Sequence, residues 1–167
     1  MTSATRADDT HLGHEARTGE TKDERLAREH EELFHELRSI IPGVQVQFAF
    51  LLTVVFTQRF ESLNEFQRDV YYATFLLAAA SLLVLFAPAA FHRVQFRQRD
   101  KEVMLRAANV EVITGLFLIS LSLAGTVLLI TDLMFPREVA IVAAIATLAV
   151  SSLLWWAFPV ARRLRGN

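Results

Sequence analysis

Four apolar stretches, each about 20 residues long, constrain this chain more than anything else in it: Ile40 to Gln58, Val70 to Phe91, Val110 to Thr131 and Val139 to Phe158. About 20 residues is what an α-helix needs to cross a hydrocarbon core of roughly 30 Å. Lipid offers the backbone no hydrogen-bond partners, so each stretch must be helical. The expected fold is all-α, an integral membrane four-helix bundle. Composition agrees, since 53% of the 167 residues are hydrophobic and 13 are Phe, more apolar than an ordinary soluble domain. The first stretch follows some 40 polar residues without a small-residue cleavage site. It therefore reads as a retained span, not a signal peptide.

Charge is segregated along the chain. Residues 1–40 hold ten acidic and six basic side chains (net −4), and 41–167 hold eight acidic and eleven basic (net +3). An acidic tail thus precedes a basic membrane body. Twelve Lys/Arg lie near the span ends on one side, from Lys22 to Arg38 ahead of span one, from Arg93 to Arg106 between spans two and three and from Arg162 to Arg165 after span four, against three (Arg59, Arg68, Arg137) in the other two loops. The positive-inside rule then puts both termini in the cytoplasm of a plasma (inner) membrane protein. Tyr71 and Tyr72 are expected to anchor the outer interface and Trp155 and Trp156 the inner one; Asp132 and Arg59 are placed to pair near the outer ends.

The cytoplasmic approach divides in two. Residues 1–20 are polar, with little to bury, and read as a disordered tail; His11 and His14 lack the further ligands a metal site needs. Over 21–40, Leu26, His30, Leu33, Leu37 and Ile40 recur at spacings of four and three, the stripe of an N-terminal amphipathic helix. Thr21 and Glu24 form a capping-box pattern at its start. The opposite face is mostly acidic, which disfavours an anionic leaflet. The helix is expected to be solvated, to dock under its own bundle, or to meet a copy of itself. The bundle itself occupies 41–161 and a basic C-terminus 162–167.

Gln45 and Gln47 stand inside span one, some 200° apart on a helix, so they cannot serve one site together. Gln45 heads a four-residue ladder with Ala49, Thr53 and Thr57. Similar ladders run through Thr74, Ala78, Ser81, Pro88 and His92, through Glu111, Gly115, Ser122, Gly125 and Thr126, and through Ala140, Ala144, Thr147 and Ser151. Small and hydroxyl residues let membrane helices approach and hydrogen-bond. Two readings stay open: a tightly packed bundle without a pathway, and a polar route. Gln45 is expected to face its helix neighbours, with Gln47 reaching the inner headgroups. A faint two-plus-two repeat, Gly43-Val44-Gln45-Val46 against Asn109-Val110-Glu111-Val112, would make Gln45 and Glu111 equivalent.

Glu111 is the one acid well inside a predicted span, and an ionisable group there is a functional hypothesis by default. It lies only about 7 Å along the helix from Arg106. Gln45, Gln47, His92, Arg93, Asn109 and Glu111 fall at one level and form a candidate inner polar cluster. In it His92 would titrate near neutral pH and Glu111 would carry a proton or cation. A structural network at the interface is the competing reading.

The segments GVQVQFAFLLTVVFTQRF and FQRDVYYATFLLAAASLLVLFAPAAFHRVQFR, with Arg106 to Glu111, resemble a family of small actinobacterial four-span membrane proteins classed as a domain of unknown function. The resemblance covers about residues 30–165. Its most specific parts are the Gln-containing start of span one, Thr57-Gln58-Arg59-Phe60, and Ala87-Pro88 followed by His92-Arg93. Some members are automatically labelled sodium/proton antiporters, and the resemblance implies transport of H⁺ with Na⁺ or K⁺. The residues themselves supply one shallow carboxylate and no Gly/Pro break in mid-span, where antiporters usually carry both at the midplane. A pore would need a homo-oligomer. The alternative class is a membrane scaffold or regulator that binds a protein partner through the acidic helix. No nucleophile–base pair, paired carboxylates, phosphate loop or metal spacing points to an enzyme or a cofactor, and the basic loop needs no nucleic acid to explain it.

Overall fold

The computed structural model describes residues 21–94 and 101–157. Among the described residues five α-helices follow one another: α1 (Lys22–Val54), the short α2 (Gln58–Glu61), α3 (Glu65–Val94), α4 (Lys101–Met134) and α5 (Arg137–Ser152), the last running into a π-helical turn, Leu153–Ala157. Four of them are long and apolar enough to cross a membrane, over Glu31–Val54, Glu65–Ala90, Arg106–Met134 and Arg137–Trp155. The all-α four-helix architecture is thus as expected. The tail 1–20 and the basic segment 162–167 lie outside the described residues.

The amphipathic segment and span one are a single helix, with no break at residue 40. Thr21 caps it through the expected box: its Oγ1 accepts from Glu24 N–H at 3.3 Å, and its own N–H donates to Glu24 Oε2 at 2.9 Å. The helix runs through Pro42, which sits on an exposed face and lacks only the N–H that would meet the carbonyl of Arg38. It ends at Val54, four residues before the expected limit. There Thr57 Oγ1 donates to the Val54 carbonyl at 2.7 Å, and the N–H groups of Val55 and Phe56 turn back to Thr53. Asn64 then starts α3 reciprocally with Gln67: each backbone N–H donates to the other's side-chain oxygen, at 3.1 and 2.9 Å.

The helices pack along seams of three-and-four spacing. On α1 the seam is Leu33, Leu37, Ile40, Val44, Gln47, Leu51 and Val54, all buried or half-buried. On α3 it is Gln67, Tyr71, Thr74, Ala78, Ser81, Leu85 and Pro88, every one buried; on α4 it is Ala108, Val112, Gly115, Ile119, Ser122, Thr126 and Leu129. A repeat of 3.5 residues keeps a seam facing its partners under a slight left-handed coil. α3 and α4 pair most extensively, α1 lies against both, and α5 packs on α4. Three of the four expected ladders are therefore helix contacts. The fourth is not: Gln45, Ala49, Thr53 and Thr57 are all exposed.

Two glycines set the α3–α4 approach. A Cβ on Gly115 would stand 2.6 Å from the Leu85 side chain, and one on Gly125 would overlap Thr74 Oγ1. Beside the first, Ser81 Oγ donates to the Gly115 carbonyl at 2.9 Å.

The structure does not follow the two-plus-two repeat. Val44 is buried where its counterpart Val110 is exposed, and Val46 is exposed where Val112 is buried. A pseudo-two-fold would also match the α3–α4 contact with an equally extensive one between α5 and α1, and no comparable contact occurs among the described residues.

Candidate functional site

Two apolar clusters fill the bundle. One joins Leu37, Val44, Leu85, Val112 and Ile119, and the other Leu51, Tyr71, Ala78 and Leu129. Between Val44 and Leu51, the α1 seam presents Gln47. Its Nε2 donates to Ser122 Oγ at 3.0 Å and to Thr126 Oγ1 at 3.1 Å. Both hydroxyls direct their own protons elsewhere: Ser122 Oγ donates to the Thr74 carbonyl at 3.0 Å, and Thr126 Oγ1 to the Ser122 carbonyl at 2.9 Å. Every donor in this layer is thus engaged, and each chain of bonds ends on a backbone carbonyl. Ser122 stands about 24 Å along α4 from Arg106 and about 18 Å from Met134, deep within the span.

A second polar group closes the end of the bundle where α1 finishes and α3 begins. The Asp132 side chain, 6% exposed, accepts from Gln67 Nε2 at 2.8 Å and from Arg137 Nε at 3.4 Å. The Arg137 guanidinium also lies over the Phe66 ring, 4.1 Å from its centroid. Asp132 therefore pairs with Arg137, five residues on across a tight turn, and not with Arg59, which is exposed. Nearby, Tyr71 is buried. Its hydroxyl donates to the Leu51 carbonyl at 2.7 Å, one of the carbonyls orphaned by the end of α1. Its ring stacks on Phe75 and meets Phe60 edge-on. Tyr71 is therefore not free for the interfacial role expected of it, whereas Tyr72 is 62% exposed.

Of the four described side chains among the six residues expected to form one inner cluster, Gln47 is the one engaged in a network. Gln45 and Asn109 are exposed and Glu111 is half-buried. His92 and Arg93 lie on the last turn of α3, and their side chains are outside the described residues. The roles given to the two glutamines are thus exchanged: Gln47 faces the helices and Gln45 faces outward. Among the described residues, no three His, Asp or Glu side chains converge as a metal ion would need.

The model of a family of unknown function, DUF6328, matches residues 19–159. The chain belongs to that family. No curated protein and no solved structure matches it. The family match takes in α1 from its capping box through the π-helical turn after α5. The polar layer and the Asp132 group both lie within it.

The polar layer had a signal in the sequence. The stripe Leu33, Leu37, Ile40 of the amphipathic segment continues at the same spacing through Val44 to Gln47 and Leu51. Following that seam across the presumed boundary leads to Gln47, whereas following spacings of four from Gln45 leads to an exposed face.

Proposed function

We propose that this protein is a multi-pass membrane protein with both termini in the cytoplasm, and that it acts as a non-transporting scaffold or regulator through the charged helix ahead of span one. The observation that carries this reading is the closed polar layer. Gln47, Ser122 and Thr126 direct all their donors to one another and to carbonyls. A neutral layer with its protons so engaged suits helix registry better than relay of ions. The charged segment, meanwhile, is rigidly continuous with span one, because Leu33, Leu37 and Ile40 join the same apolar cluster as Val44. A protein partner that meets the acidic face of α1 would thereby be held at a fixed place above the membrane. Replacing the exposed Glu31, Glu32 and Glu36 by Gln should abolish complementation of a null strain while the bundle still inserts; full complementation by that variant would overturn this reading.

Cation/proton exchange, implied by the resemblance to proteins labelled sodium/proton antiporters, is the second reading, and Glu111 is what favours it. Half-buried within α4, it takes part in no ion pair among the described residues. Proton movement in proteoliposomes under imposed Na⁺ or K⁺ gradients decides between the two. Flux above empty liposomes that Glu111→Gln removes would establish exchange; no flux from inserted protein favours the scaffold.

A further inference from the structure

The outward face of α1 carries a second seam, roughly opposite the one that docks on α3 and α4. Arg28, Glu31, His35, Arg38, Gln45 and Ala49 recur at spacings set by threes and fours, and all are exposed. Within the span, Gln45 makes no hydrogen bond among the described residues. An amide facing lipid lacks every partner it would have in water, which is unfavourable. The neighbouring Thr53 does not share the problem, since its hydroxyl donates to the Ala49 carbonyl at 2.9 Å.

We propose that this face is the two-fold interface of a parallel homodimer, with Gln45 paired to Gln45 of a second copy. The amide, the shared orientation of the copies and the small residues of the face select a second copy. The amide is both donor and acceptor, so it satisfies its own symmetry mate reciprocally, whereas an acyl chain offers neither group. All copies insert in one orientation, which makes the two α1 helices parallel and brings the amides to the same depth. Toward its N-terminal end the face carries Arg28, Glu31, Glu32 and Arg38. Arg28 is paired with Glu32 of its own helix at 3.0 Å, so the selection of a second copy rests on the part of the face within the apolar span. Ala49 and Thr53, one and two turns beyond Gln45, let the helices come close there. The interface is isologous, as a closed dimer requires.

The inference rests on the membrane-spanning reading, and carbonate-resistant membrane association of each variant reports on that separately. The chain has no cysteine, so single introduced cysteines are clean probes. Oxidation in native membranes should cross-link Ala49→Cys and Thr53→Cys to a species of twice the chain mass. Val142→Cys, 66% exposed on α5, should stay monomeric. Adding Gln45→Leu to Ala49→Cys should lower the cross-linked fraction several-fold, and Gln45→Asn should retain most of it. Three results would overturn the proposal: no cross-link at either position in inserted protein, equal cross-linking through Val142→Cys, or an adduct to a protein of different mass.

Discussion

Gln47 on α1 reaches Ser122 on α4 at 3.0 Å, and the hydroxyl it meets is already committed as a donor to the carbonyl of Thr74 on α3. One serine thus ties three helices together, and the direction of each bond is fixed. Moving α1 by one turn would set Val44 or Leu51 against Ser122 and leave the amide among apolar side chains. A single polar residue in an otherwise apolar seam specifies registry in this way.

The Gln47–Ser122 pair should accordingly be modest in energy and clear in coupling. Gln47→Leu is expected to destabilise the bundle by about 0.5–1.5 kcal/mol. A double-mutant cycle with Ser122→Ala should show a coupling of roughly 0.6–1.7 kcal/mol, read from reversible unfolding in mixed micelles. Zero coupling would mean that the bond contributes nothing to the bundle.

Gly125 and Gly43 should respond oppositely to the same change. A methyl group at Gly125 meets Thr74, while Gly43 has open space around its Cβ position. Gly125→Ala should cost about 1–3 kcal/mol by separating α3 from α4. Gly43→Ala should be neutral or stabilise by up to about 1 kcal/mol through helix propensity. Thermal inactivation midpoints in one detergent order the two variants directly.

Tyr71 and Tyr72 are adjacent in sequence yet differ in burial. Tyr71→Phe removes the donor to the Leu51 carbonyl and is expected to lower stability by about 1 kcal/mol. Tyr72→Phe, on an exposed residue, should change stability by less than about 0.5 kcal/mol. A larger loss from Tyr72→Phe would reverse the assignment of core and surface.

Arg137 and Arg59 provide a third contrast. Arg137→Ala leaves the buried Asp132 with Gln67 alone and uncovers Phe66, so about 1–2 kcal/mol should be lost, limited because Arg137 is itself half-exposed. Arg59→Ala should be silent. Chemical denaturation of both variants at pH 7 makes the comparison.

Acid should fray the start of α1. The backbone N–H of Thr21, and then its hydroxyl, hold the Glu24 carboxyl below the usual range for Glu. The depressed folded value means that the contribution is present above the unfolded pKa and is lost as pH falls through the folded one. The window is therefore about pH 4 and below. Intrinsic-rate-corrected amide exchange in the first turn of α1 should accelerate there, and Thr21→Ala should show the fast exchange already at neutral pH.

The sequence by itself determined that four long apolar helices exist and how α1 is capped, because these follow from local quantities: apolar run length, backbone hydrogen bonding in lipid and turn chemistry. Three of its four polar ladders also told which faces meet. What it left open was which face of α1 turns inward, since Gln45 and Gln47 are both plausible on composition and one helix has two usable seams. Tertiary structure decided that through groups distant in sequence. Ser122, whose own proton goes to the Thr74 carbonyl, and Thr126 form a pair of acceptors that Gln47 reaches while Leu37, Val44 and Leu51 are buried. Likewise Asp132 takes Arg137 and not Arg59, because the tight turn after α4 brings the nearer guanidinium onto the end of the bundle.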